Sequence, residues 1–245
     1  MTAIDVFKQS LNFYAQLFNK IFWLSVASSI VPLIHSAIFG TAQPSGLGLL
    51  MMMLMSMFFS VYMMALVHQY STEQDDSLSS AFTLAVNKVM PVALTSIVMG
   101  LFLMLAVIPA AMVAGILASG IGDEVLKNTL MAAIIAVPVC MIMYRCFFAA
   151  YYTLVDGLNP IEALKASNQQ IKGNKLAFNG FMVLGALTGV YALALLLLNL
   201  MIAVNPLLLG VFEFGLNVFV LPMFTVFIYR LFVVTKETQK IDEEL

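Results

Sequence analysis

Apolar positions run along the chain in six long blocks, at roughly residues 20–40, 46–70, 91–118, 129–153, 177–203 and 206–234. A helix needs about 20 mostly apolar residues to cross a bilayer, and each block supplies them. The connectors between blocks alternate in character. Those near 41–45 and 204–205 are short and uncharged, and the one near 119–128 is small and carries Asp123, Glu124 and Lys127. Those at 71–90 and 154–176 are longer and polar. The pattern predicts an all-α membrane bundle of six spanning helices in a single membrane domain covering residues 1–245.

Polar residues that start helices recur at the entrance to alternate blocks. Thr2-Ala-Ile-Asp5-Val-Phe7-Lys8, Ser77-Leu-Ser-Ser80-Ala-Phe82-Thr83 and Asn159-Pro-Ile-Glu162-Ala-Leu164-Lys165 read alike, at offsets of 75 and 82 residues. Thr2, Ser77 and Asn159 are good N-caps. The third segment fits a capping box best and the first more loosely, and Pro160 suits the first helical position. Each segment continues with apolar residues at three-to-four spacing: Ile4, Phe7, Leu11, Tyr14 and Phe18; Leu78, Phe82, Ala85 and Val89; Ile161, Leu164 and Ile171, the last set opposite Lys165, Gln169 and Lys172. Such helices are expected at the membrane interface, apolar face toward the acyl chains. The predicted unit is an interfacial amphipathic helix followed by two spans, repeated three times over about 2–70, 77–153 and 159–234, with a polar tail at 235–245. Tyr144-Arg145-Cys146-Phe147 and Tyr229-Arg230-Leu231-Phe232 match at corresponding places, and Pro138 and Pro222 precede the two arginines.

Composition strengthens the membrane reading. The chain is 62% apolar and only 10% charged, whereas soluble domains carry about 25% charged residues. Its formal net charge of −2 gives no basic field for nucleic acid. Orientation follows the cations rather than the net charge. Lys8, Lys20, Lys88, Lys165, Lys172, Lys175, Lys236 and Lys240 all fall on one side of the six-span arrangement, Arg145 and Arg230 lie near it, and only Lys127 falls opposite. Both termini and the two long connectors are therefore expected in the cytoplasm. Asp5 and the late start of the first apolar block argue against a cleaved secretory leader.

Little of the remaining pattern points to chemistry. No hydrolase, kinase, nucleotide or zinc motif occurs, so no enzyme, catalytic residue, metal or cofactor is expected. Cys140 and Cys146 sit on different sides of one helix and read as small apolar residues. Met51, Met52, Met53, Met55 and Met57 resemble a thioether cluster for Cu(I), but in a membrane helix they read first as flexible filling.

Ionisable residues inside spans are functional candidates by default. Arg145 and Arg230 either snorkel to the headgroups or face a cavity or an anionic lipid headgroup. Glu213 lies between Phe212 and Phe214, with Asn217 one turn on. Desolvation there favours a neutral carboxyl, bonded within the bundle or serving as a proton or cation site. Asn199, Asn205 and Asn217 are candidate polar glue between helices. His35 and His68 read as hydrogen-bonded to neighbouring helices. Pro32, Gly100, Pro109, Gly115, Gly185 and Gly189 permit kinks or close packing.

Asp156-Gly157-Leu158-Asn159-Pro160-Ile161-Glu162-Ala163-Leu164-Lys165-Ala166-Ser167, followed by Ile171-Lys172-Gly173-Asn174, resembles the cytoplasmic connector of YciC-like bacterial inner-membrane proteins. The membrane domain of some glycerophosphoryl diester phosphodiesterases is similar. Val107-Ile108-Pro109 resembles the family's Val-Ile-Pro-Gly-Ile element, with Ala110 in place of its glycine. The likeness covers about residues 78–235. It implies a six-helix inner-membrane protein without an assigned reaction, and it transfers no catalytic residue. The expected role is non-enzymatic: envelope integrity or stress and antibiotic tolerance, through the lipid bilayer, anionic lipid headgroups, another membrane protein or a second copy. A small transporter or permeability factor, and a membrane anchor for a cytoplasmic partner docking on the 154–176 connector, are the alternatives.

Overall fold

A computed structural model describes the backbone of residues 1–39, 46–72, 77–201 and 206–244, and within these the side chains of residues 1–30, 46, 48–72, 77–198 and 214–239. The described chain is helical, with no strand. In order it forms α1 (Ala3–Phe39), α2 (Gly46–Ser71), α3 (Leu78–Ala118), α4 (Glu124–Arg145), the short α5 (Ala149–Tyr151) running into a π-helical turn (Tyr152–Asp156), α6 (Pro160–Ile171), α7 (Lys175–Met201) and α8 (Pro206–Glu244). Among the described residues five helical runs are long and apolar enough to cross a membrane: Gly48–Ser71, Leu78–Ala118, Glu124–Asp156, Lys175–Leu198 and Phe214–Gln239. They correspond to five of the six expected spans, and the chain is an integral membrane helix bundle. The remaining expected span lies within α1, and its C-terminal half, with Pro32 and His35, falls outside the described side chains.

The helix starts follow local chemistry. Thr2 and Asp5 form a reciprocal box: the Thr2 backbone N–H donates to the Asp5 carboxylate at 2.8 Å, and the Asp5 N–H donates to Thr2 Oγ1 at 3.2 Å. Ser77 Oγ accepts from the Ser80 N–H at 3.2 Å, and Asn159 Oδ1 accepts from the Glu162 N–H at 3.0 Å. The box thus closes best in the first segment rather than the third, because a short aspartate reaches back to the cap residue's own amide. Beyond their caps the three segments diverge. In α1 and α3 the amphipathic turns run unbroken into the apolar helix, whereas α6 is separated from α7. Gly173 supplies that break with φ +75°, a conformation open to glycine at little cost. Asn174 Oδ1 then caps α7 through the Ala177 N–H at 3.0 Å.

Two compact units emerge, and their boundaries do not coincide with the sequence repeats. The first comprises residues 1–90 and 174–245. In it α1 packs most extensively on α8 and next on α2, while α7 also leans on α8. Phe7 meets Phe227 edge-on at 5.5 Å and Phe18 stacks on Phe219 at 5.9 Å, so α1 and α8 run antiparallel. Ala3, Val6, Ser10, Leu17, Ile21 and Leu24 form the buried stripe of α1, against Val61 and Leu66 of α2 and Val226, Phe227, Leu231 and Phe232 of α8 in the same core. The apolar stripe expected from the sequence is the neighbouring one. Ile4 and Leu11 point outward, while half-buried Phe7, Tyr14 and Phe18 contact α8.

The glycine expectation needs correcting. A Cβ on Gly100, Gly115, Gly185 or Gly189 would meet nothing, so these positions do not hold helices close. Gly180, in the first turns of α7, is the close approach: a Cβ there would overlap the buried Leu231 side chain of α8.

The second unit comprises residues 91–173. Its expected span at 129–153 is not one continuous α-helix. α4 begins earlier, at Glu124, because the Asp123 carboxylate caps it through the Val125 and Leu126 N–H groups at 2.8 and 3.0 Å. The helix then breaks after Arg145. Ser167 of α6 holds the break: its Oγ accepts from the Phe148 N–H at 3.0 Å and donates to the Arg145 carbonyl at 3.0 Å. A second buried hydroxyl contact ties the unit together, between Thr95 and Thr153 at 2.8 Å. Ala163, Leu164, Ser167, Gln170 and Ile171 make the buried face of α6, while Ile161 is exposed.

Candidate functional site

The five sequence candidates are not drawn into one site by any described contact. Glu213 and His35 lie outside the described side chains, as do Asn199 and Asn205. Arg145 belongs to the second unit, where its side chain is exposed at the end of α4. Asn217 and Arg230 lie on α8 in the first unit, thirteen residues apart, or about 20 Å of helical rise. Asn217 is already engaged, since Tyr191 of α7 donates its hydroxyl proton to the amide oxygen at 2.5 Å. That bond fits the polar-glue expectation for this residue.

Arg230 is the residue around which other groups gather. It follows Tyr229 in α8, whose hydroxyl lies 3.0 Å from His68 Nδ1 of α2. His68 is thereby hydrogen-bonded across helices, as the sequence suggested. The Arg230 guanidinium sits over the Phe13 ring of α1, with its carbon 5.6 Å from the ring centroid. Phe13 in turn packs edge-on against Tyr70 at 5.3 Å, and Lys20 Nζ stands 5.8 Å from the Tyr70 centroid. Two cations from α1 and α8 therefore flank one aromatic pair from α1 and α2. Each cation lies within the roughly 6 Å range over which a ring quadrupole attracts it. Tyr70 is the penultimate residue of α2, so this arrangement marks the end of an apolar span.

The electrostatics of this cluster are incomplete. Arg230 Nε is buried and has no hydrogen-bond partner among the described residues. Among the described residues no carboxylate faces the guanidinium. A buried donor left unmade costs about 1–3 kcal/mol, and a cation–π contact returns only about 0.5–2 kcal/mol. An anion at the guanidinium would offset the unpaired charge, and the planar fork of arginine suits a two-oxygen acceptor.

The sequence signalled Arg230 but not its companions. Phe13 and Tyr70 look like ordinary apolar-stripe residues, and only the packing of α1 against α2 and α8 brings them together with Arg230. Ser167 was missed for a related reason, since a lone serine on an amphipathic helix carries no sign of a partner 22 residues away. The exposed thioethers of Met51, Met53 and Met55 point away from the protein interior. No family model, curated protein or solved structure matches this chain.

Proposed function

We propose that this chain is a six-span bacterial inner-membrane protein of YciC-like type, built as three repeats, with both termini in the cytoplasm. Its role is non-enzymatic support of the envelope through contacts with lipid or with another membrane protein. The observation that carries the reading is how little of the spanning surface is covered among the described residues. In the most apolar window of α3 only 6% of the residues are buried, and in those of α4 and α7 none are. Leu101, Met104, Leu105, Ile108, Met112 and Ile116 all stand exposed along α3. Such a surface is stable only against acyl chains or another apolar helix. This exposed surface supports a role exercised through the membrane around these helices.

The test combines genetics with reconstitution. Deleting the gene should sensitise cells to envelope stress and membrane-active antibiotics, and purified protein in sealed liposomes should pass neither ions nor small solutes. Solute flux above that of empty liposomes would overturn the reading in favour of a transporter.

A further inference from the structure

We infer that Arg230, with Lys20 and the Phe13–Tyr70 pair, forms a binding site for the phosphodiester of an anionic membrane lipid. The inference deepens the lipid-contact reading above and rests on it. The shared ligand chemistry is a phosphate that presents two oxygens. Arg230 is half-buried, its Nε–H finds no acceptor among the described residues, and the Nη–H groups at the outer end of its fork suit phosphate oxygens that accept bidentately. The Phe13 ring beneath the guanidinium, 5.6 Å from its carbon, fixes the fork against one wall. Lys20 supplies a second positive charge across the same aromatic pair.

Position selects a lipid rather than free phosphate. Arg230 lies inside the apolar run Phe214–Gln239, while Tyr70 is next to last in the run Gly48–Ser71. The cluster therefore sits where α2 leaves the acyl region, at the level that aromatic residues favour at a bilayer boundary. By the cation distribution this is the cytoplasmic leaflet, whose anionic lipids attract basic groups. Exposed Trp23, further along α1 where it enters its apolar block, offers apolar surface for the attached acyl chains.

The experiment uses the full chain purified in mild detergent, with native mass spectrometry of retained lipid and a thermal-shift titration. The probes are short-chain phosphatidylglycerol, phosphatidylcholine and inorganic phosphate. Wild-type protein should retain phosphatidylglycerol in preference to phosphatidylcholine and be stabilised by it, with no shift from inorganic phosphate up to 10 mM, a concentration chosen as roughly saturating for weak surface sites. Arg230→Gln should weaken phosphatidylglycerol binding about tenfold, the loss of a charge-assisted bidentate contact. Arg230→Lys keeps the charge without the fork and should fall between the two, which separates a lost site from a misfolded variant. Lys127→Gln, on the opposite side, should bind as wild type.

Undiminished phosphatidylglycerol retention by Arg230→Gln would overturn the site, and so would equal retention of phosphatidylcholine. Stabilisation by inorganic phosphate would overturn the lipid assignment. These results leave the liposome flux experiment untouched, so failure of the site is distinguishable from failure of the non-transport reading.

Discussion

At the scale of single residues, two polar side chains govern local structure more than their type advertises. Ser167 is fully buried and satisfies two backbone groups at the break after α4. Ser167→Ala would strand the Phe148 N–H and the Arg145 carbonyl in an apolar setting. The expected cost is about 1–3 kcal/mol, read as equilibrium unfolding in mixed micelles. Ser119→Ala is the comparison, since the Ser119 hydroxyl bonds only the Ile116 carbonyl at an exposed turn and its loss should be near neutral. Equal destabilisation by both would remove the bridging role of Ser167.

Asp5 gives a pH prediction. The Thr2 amide and hydroxyl hold its carboxyl below the ordinary value of 3.8, with minor help from Lys8 and the N-terminus. A depressed carboxylate stabilises the helix start above that unfolded value, and the contribution fades as pH falls through it toward the folded one. Amide exchange in the first turn of α1, corrected for intrinsic rates, should therefore speed up on acidification below about pH 4. Asp5→Asn should be frayed at all pH values and lose the dependence. The caps were legible in the sequence because a cap needs only residues three apart. The partners of Ser167 were not, because hydrogen bonding across 22 residues leaves no periodic trace.

At the scale of helices, glycine has two separate uses. Gly173 ends the segment after α6 in a left-handed conformation, where a side chain costs about 1–2 kcal/mol. Gly173→Ala should lower stability by that amount even though its Cβ would meet no neighbour. Gly180 has the opposite problem, with no backbone constraint of that kind but no room beside Leu231. Gly180→Val should destabilise by roughly 1–3 kcal/mol through overpacking, and Gly180→Val combined with Leu231→Ala should recover part of the loss. Unfolding of the single and double variants measures the coupling, and strict additivity would show that the two sites do not touch. The sequence flagged Gly100, Gly115, Gly185 and Gly189 instead, because hydropathy locates glycines within spans without telling which face meets a neighbour. The break after Arg145 was equally hidden. Nothing in Tyr144-Arg145-Cys146-Phe147-Phe148 stops a helix, and tertiary contact with α6 decides it.

At the scale of the molecule, hydropathy yielded the bundle because a bilayer leaves the chain few options: every spanning backbone polar group must be paired internally, so long apolar blocks become helices. The same blocks carry no comparable signal for which helices pack together, and that is why the Arg230 cluster, assembled from α1, α2 and α8, could be read only in part. The proposed topology makes a prediction that depends on neither packing nor lipid binding. With Cys140 and Cys146 replaced by alanine, Ser119→Cys should react with a membrane-impermeant maleimide in intact cells. Lys172→Cys and Thr2→Cys should react only after permeabilisation. The Thr2 position decides the contribution of α1, since a cytoplasmic N-terminus with an external residue 119 requires an odd number of crossings, and with α2 and α3 both spanning α1 must cross too. Labelling of Thr2→Cys from outside, with residue 119 also external, would leave an even number of crossings between them. Five spanning helices would then replace six, and the charge asymmetry that orients the Arg230 cluster toward the cytoplasmic leaflet would lose its basis.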